Sequence, residues 1–302
     1  MYEQIASNKR KTIVLIVGAI LLLGAVGYVL GLFYATGVVG LVGAVALALV
    51  MSLVSFFSGD RIVLASTRAK EVTPQEQPRL HNIVEGLSIA AGIPKPRVYL
   101  VPEQAPNAFA TGRNPEHSSV AVTEGLLATM NRVELEGVIG HELSHVVDRD
   151  ILVGTIVATL IGAVVLVSEF FMRSWWWGGF RGRRGSDSGG GGAEAIVFAI
   201  GLVLLVLAPI IGKIVQLAVS RQREYLADAQ GAMLTRYPPG LASALRKIAA
   251  NSSIPMRSAN NATAHLWLNQ PSRVQGEGMG TLEKLFATHP PIEERIRRLE
   301  EM

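Results

Sequence analysis

The chain has 302 residues, of which 49% are hydrophobic and only 17% charged, below the quarter usual for soluble domains. Its mean hydropathy is positive, which points to a membrane protein rather than to an oversized core. A net charge of +4 with no basic patch interleaved with aromatics gives no reason to expect a nucleic-acid partner, and the lack of cysteine excludes disulfides and cysteine-ligated zinc.

Four apolar segments stand out in chain order. Thr12 to Tyr34 and Val38 to Phe57 carry no charge and are joined by only Ala35, Thr36 and Gly37, so they read as a helical hairpin. Each is near the ~20 residues that cross ~30 Å of hydrocarbon. The first is too long for a signal-peptide core and reads as a retained anchor. Lys9, Arg10 and Lys11 precede the pair, and Arg61, Arg68 and Lys70 follow it, which puts both flanks in the cytoplasm by the positive-inside rule. The third and fourth segments run from Ile151 to Met172 and from Ala195 to about Val219. Between them, residues 173–192 are rich in Gly, Ser and Arg and carry Trp175, Trp176 and Trp177, the residues of an interfacial belt. Four arginines in that loop oppose its placement on the far side of a membrane. The last two segments therefore either cross fully or form a shallow hairpin, and both routes return the chain to the starting side.

Soluble character occupies the rest. Thr73, Pro74 and Glu76 are expected to open a helix whose face is Leu80, Ile83, Val84 and Leu87, with Gly92 ending it. Three short β-type runs follow at 97–101, 107–112 and 119–123, then helices starting near Thr123 and Arg132. After the fourth apolar segment, helical patterns cover about Ser220 to Arg236, Gly240 to Asn251 and Pro291 to Met302. The organisation is thus a transmembrane hairpin over 1–58, a first soluble block over 59–150, a second apolar hairpin over 151–219, and a second soluble block over 220–302.

The chemistry is carried by GHELSH. His141 and His145 stand one helical turn apart on one face, where two imidazoles can bind one zinc ion. Glu142 then sits beside the metal, placed to act as general base on a zinc-activated water and to pass its proton to the leaving amine. A bare H-E-x-x-H also occurs on ordinary surface helices. Here Val138, Ile139, Leu143, Val146 and Val147 give the helix a buried side. A hydrolytic zinc needs a third protein ligand. The position where a metzincin carries its third histidine is Ile151, so that pattern is excluded. The next candidates are Glu224 and Asp228 in RQREYLADAQ, four apart on a predicted helix. Glu224 can ligate zinc, and Asp228 can accept a hydrogen bond from a ligand imidazole. The same spacing suits a solvated acidic face beside Arg221 and Arg223. His81, His117 and His265 read as ordinary polar residues.

The motifs PNAFATG (106–112), VIGHELSHVVDRD (138–150), REYLADAQGA (223–232) and ATHPPIEERI (287–296), in this order after an amino-terminal hairpin, resemble the HtpX-type family of bacterial membrane zinc metalloproteases. More distantly they resemble the eukaryotic CAAX prenyl endopeptidases of the same peptidase family. The resemblance covers nearly the whole chain. It implies a mainly α membrane protein with a gluzincin-like metalloprotease domain, a small β-sheet of about three strands and four apolar helices. It also implies one zinc ion per chain, held by His141, His145 and Glu224, with Glu142 as the catalytic base and Asp228 as the partner that orients His141. Asn107 is similar to a residue that lies along bound peptide, and His289 and Arg295 to residues near the substrate carbonyl or its oxyanion. The implied setting is the bacterial plasma membrane, with the catalytic domain on the cytoplasmic side of the bilayer. The implied task is quality control on unfolded or damaged membrane proteins.

Two other readings suit the same motif. An intramembrane site-two-type protease also carries H-E-x-x-H, but Arg132, Glu134, Glu136, Asp148, Arg149 and Asp150 flank this one too closely for hydrocarbon. An inactive adaptor for unfolded clients would have no use for Glu142.

Overall fold

The computed structural model describes residues 2–33, 37–162, 221–259, 262–269 and 290–302. Two long helices open the chain, α1 (Tyr2–Phe33) and α2 (Gly37–Ser66), packed along one another. Many of their apolar side chains face outward. Val14, Leu21, Val42, Leu53 and Phe57 are between 57% and 67% exposed, so the pair presents an apolar band that water would not tolerate. Among the described residues, one helix is long and apolar enough to cross a membrane, Leu41–Ser66 within α2. Four apolar helices were expected. The third segment begins as α6 (Asp150–Gly162), while the remainder of that segment, the Gly/Arg-rich loop and the fourth segment lie outside the described residues.

A mixed sheet follows the first hairpin: β1 (Lys70–Glu71), β2 (Arg97–Val101), β3 (Ala108–Asn114) and β4 (His117–Thr123), in the order β1-β2-β4-β3. β2 and β4 are parallel, with Val98 opposite Val120, whereas β3 and β4 form an antiparallel hairpin with Phe109 opposite Ala121. The sheet has four strands rather than about three. The extra one is two exposed residues, too short for any alternation to show in the sequence.

Helix α3 (Pro78–Ala91) starts four residues later than Pro74 suggested. Thr73 and Glu76 do bond one another, Thr73 N–H donating to Glu76 Oε2 at 2.7 Å, but they close an isolated turn. Pro78 then forces its predecessor out of helical geometry, and Gln77 sits at φ −133°. At the other end Gly92 takes φ +67°, the left-handed conformation that stops the helix where the sequence pattern stops.

Helices α4 (Glu124–Thr129) and α5 (Arg132–Val147) are both capped by side chains, Thr123 and Asn131. Asn131 and Glu134 form a reciprocal capping box, and Glu134 continues to Lys247 and Ser243, each at 2.7 Å. The chain resumes with α7 (Arg221–Thr235), α8 (Pro238–Ala250), a 3₁₀ turn (Ala264–Leu266) and α9 (Ile292–Glu300).

One face of the sheet, through Val98, Val120 and Val122, shares a core with Leu80 and Val84 of α3, Leu135 to Leu143 of α5, and Leu241 and Leu245 of α8. The other face buries Phe109 and Ala121 against Val63 and Leu64 of α2 and against Trp267. Residues from before and after 163–220 thus contribute to one core. α5 also meets α7 and α8 through glycines. A Cβ on Gly231 would lie 2.7 Å from the His141 amide nitrogen, and one on Gly137 would lie 2.7 Å from that of Leu241. This close crossing carries α7 across the GHELSH helix.

A candidate metal centre between two helices

Because of the Gly140–Gly231 crossing, the first turn of α7 lies beside the last turns of α5. His141 Nε2 and His145 Nε2 are 3.2 Å apart, and each is 3.8 Å from a carboxylate oxygen of Glu224. These ligand atoms all fall within 4.8 Å of one another, the only such group found among the described residues.

The tautomers follow from what lies behind the rings. His141 Nδ1 is 2.9 Å from Asp228 Oδ1, and His145 Nδ1 is 3.1 Å from Asp150 Oδ2. A neutral imidazole donates from one nitrogen only, so once both rings are neutral, as ligation requires, both protons face the carboxylates and both Nε2 lone pairs face one another. Two lone pairs 3.2 Å apart repel unless a proton or a cation lies between them. Two nitrogens about 2.0–2.1 Å from one tetrahedral ion stand about 3.3–3.4 Å apart. The donor set therefore fits a zinc-like ion, with Glu224 a few tenths of an ångström beyond closest ligation.

Without an ion, a proton on His145 takes the place between the rings. Burial alone would lower the His145 pKa, but its hydrogen bond to Asp150 and the charges of Glu224, Asp150 and Glu142 lift it to about 9. His141 moves the other way: burial outweighs Asp228 and lowers it. Glu142 is raised to about 7, chiefly by burial, while the His145 charge and an N–H from Ala110 of the edge strand β3 hold it from going further. Burial thus lets it take up a proton at higher pH than an ordinary carboxylate does, the property wanted in a group that accepts and returns a proton.

Asp228 is gripped from two sides. Arg295 Nε and Nη2 donate to its two oxygens at 2.8 and 2.7 Å, and His141 donates to one of them. Burial opposes its ionisation, yet Arg295 and His141 bring its pKa down to about 2. Arg295, expected beside a substrate carbonyl, is 2% exposed and sits on Asp228, with Nη1 donating to Leu268 O at 3.2 Å and standing 3.8 Å from Glu224.

The metal group opens on a cleft lined by Ala110 of β3, Ile151 and Gly154 of α6, and Leu266 to Leu268. Asn107 stands at the head of β3, 2% exposed. Its amide accepts from Asn269 N and donates to Asn269 O, so it holds the 267–269 segment against the strand, where Leu268 N–H also donates to Ala108 O. His289 lies outside the described residues. His265, set aside in the sequence as an ordinary loop residue, lines the cleft and bonds Gly154 O at 3.1 Å. The other omission is Asp150, behind His145. In the sequence it serves only as a charge that keeps the motif out of hydrocarbon. It follows a helix break at Arg149, and no periodicity connects it to His145.

A two-histidine, one-carboxylate group with a buried glutamate beside it is a donor set suited to a metal-dependent hydrolase. The chain belongs to peptidase family M48, whose model matches residues 74–302. Proteins named Protease HtpX homolog match it over its whole length. That of Thermoanaerobacter pseudethanolicus is 47% identical over 100% of this chain and 98% of its own. That of Streptococcus mutans is 48% identical over 100% of both. The chain is a metalloprotease of this family. The crystal structure of S. mikatae Ste24p aligns with 99% of this chain and 67% of its own at TM-score 0.49 and 16% identity.

Proposed function

We propose that this chain is a membrane-anchored zinc endopeptidase whose site faces the cytoplasm and which cuts extended segments of misfolded or damaged membrane proteins. The observation that carries the reading is the convergence of His141 Nε2, His145 Nε2 and Glu224 on one point, with both ring protons turned away. His141, His145 and Glu224 would hold the ion. Zinc held there supplies Lewis acidity, which polarises water and a peptide carbonyl. Glu142 takes a proton near neutral pH and returns it to the leaving amine, and its burial is what tunes it for both steps. Asp228, clamped by Arg295, fixes the Nδ1–H tautomer of His141 so that Nε2 stays available. A substrate strand would meet the outer edge of β3 at Ala110, next to Glu142, because Leu268 takes the Ala108 carbonyl and the Thr155 hydroxyl takes Gly112 N–H and O.

The membrane setting is supported by the apolar band on α1 and α2 and by the way helices gather at the site. Ser55 of α2 contacts Thr159 of α6, and Gly59 of α2 contacts Thr155, so the two helices run antiparallel from the site side. α6 therefore leaves the metal group in the direction α2 arrives from, toward the same apolar layer. The basic flanks at 9–11 and 61–70 assign that side to the cytoplasm of a bacterial plasma membrane. In this reading 59–150 and 220–302 form one protease domain, and 1–58 and 151–219 its membrane hairpins.

The test uses purified full-length protein in detergent, with zinc counted by atomic absorption beside cleavage of an unfolded protein. Wild type should carry one zinc and cut. Glu142→Gln should keep the zinc and lose cutting, and Glu224→Ala should lose both. A Glu142→Gln variant that still cuts removes the proposed base, and a Glu224→Ala variant that keeps its zinc removes the proposed ligand.

A further inference from the structure

We propose that Asp150 positions His145 and that Asn8, on the amino-terminal helix, holds Asp150 in place, so that the first helix of the chain helps set the affinity of the metal site. This rests on the reading of His145 as a metal ligand.

The geometry starts at the end of α5. Val147 closes the helix, Asp148 caps it, and Arg149 takes φ +59°, a left-handed conformation uncommon outside glycine. That single residue breaks the helix direction, and α6 begins at Asp150. The break lets the Asp150 carboxylate fold back over the last turn of α5, where Oδ2 accepts from His145 Nδ1 at 3.1 Å. Its other oxygen is taken by two donors from distant parts of the chain, Asn8 Nδ2 of α1 and Arg223 Nη1 of α7, the latter at 3.4 Å. Asn8 Nδ2 also donates to the Asp148 carbonyl at 2.9 Å, so one amide bridges both sides of the Arg149 turn. Asn8 is 1% exposed; its Oδ1 has no partner among the described residues, and all of its bonds are made through Nδ2. A buried amide costs free energy unless it is bonded, and here its bonds go to the turn that aims Asp150.

Each ring thus has its own carboxylate, and each carboxylate its own support. Asp228 serves His141 and is held by Arg295. Asp150 serves His145 and is held by Arg223 and by Asn8 of the first membrane helix. Such supporting carboxylates raise ligand basicity and hold ring orientation, and their loss typically costs about 10–100-fold in metal affinity. A bland alternative is that Asp150 only favours the first turn of α6 and Asn8 only satisfies a carbonyl. That alternative predicts changes in stability but none in metal affinity.

The experiment measures zinc affinity of the metal-stripped full-length chain in detergent by competition with a chromophoric chelator, with thermal unfolding of the metal-free protein alongside. Asp150→Asn should weaken zinc about 10–100-fold. Asn8→Ala should weaken it about 2–10-fold, the worth of one hydrogen bond, and should add nothing in an Asp150→Asn background. Wild-type affinity in Asn8→Ala, whatever its unfolding temperature, overturns the proposal, as does full additivity of the two changes. If Asp150→Asn does not fold, Asn8→Ala decides alone. Glu224→Ala separates this from the underlying reading: were it to bind zinc as wild type does, the ligand assignment fails. With zinc lost in Glu224→Ala and unchanged in Asn8→Ala and Asp150→Asn, only the positioning role fails.

Discussion

Gly231→Ala adds one methyl group where α7 crosses α5, and its consequences can be worked through to the metal site. The new Cβ would lie 2.7 Å from His141 N and 3.0 Å from both Gly140 C and His141 Cα. Ordinary contact begins at about 3.5 Å, so the helices must part by roughly 0.5–0.8 Å. All three atoms met are backbone, so no side chain can swing aside. Glu224 lies seven residues earlier on the same helix, about 10 Å along its axis, and moves with it. Its oxygens already stand 3.8 Å from the two Nε2 atoms. Metal geometry tolerates about 0.2 Å, so the displacement exceeds what the site can absorb. The strain of about 1–3 kcal/mol is set against a gain of about 1 kcal/mol in helix propensity. Stability should therefore change modestly while zinc affinity falls at least about tenfold, each tenfold corresponding to about 1.4 kcal/mol. Chelator competition on full-length protein reads the affinity, and thermal unfolding reads the stability. Gly86→Ala is the control: it sits mid-helix in α3 with nothing within 4 Å of its Cβ, and should raise stability by about 0.5–1 kcal/mol without touching zinc. A Gly231→Ala protein with wild-type zinc affinity would refute the claim that this crossing sets the ligand spacing.

Two further outcomes follow from the charges. With His145 at about 9 in the metal-free chain, it is protonated at pH 7–8 and must lose that proton to ligate, so zinc loading should release close to one proton and affinity should rise about tenfold per pH unit until about pH 9. The same raised pKa stabilises the metal-free fold below about pH 6.5 and ceases to do so as pH climbs through 9; calorimetry in buffers of different ionisation enthalpy counts the proton, and release near zero at pH 7.5 would contradict the assignment. Arg295→Met should leave Asp228 buried with only His141 as partner and cost about 3–5 kcal/mol, read as a large fall in unfolding temperature, with Arg295→Lys recovering part of it. An unchanged unfolding temperature in Arg295→Met would show that the clamp is not structural.

Much of this protein is legible along the chain because its signals are local. The capping box at Asn131 and Glu134, the left-handed stop at Gly92 and the apolar stripe of α5 each depend on residues within one or two turns, and the elements begin and end close to where those residues fall. The pair His141 and His145 is equally local, since helical pitch alone puts them on one face. The start of α3 departs from the pattern for a reason that is also local: Pro78 forbids the helical conformation at Gln77 that Thr73 and Pro74 invite. β1 escapes because it is two exposed residues recruited by the neighbouring strand β2, with no pattern of its own.

What the chain by itself determined is therefore the amino-terminal helix pair, the helices α3 to α5 and α7 to α9, the strands β2 to β4, and the half of the metal group that one helical turn supplies. Tertiary structure decided the rest: that Glu224 arrives beside two histidines some eighty residues away, that Arg295 is buried on Asp228, and that Asp150 turns back to His145 under the hand of Asn8. These pairings are invisible to periodicity because they depend on where helices cross. The crossing is set by the missing side chains of Gly140 and Gly231 and by one left-handed residue at 149, features whose meaning appears only when another segment lies against them.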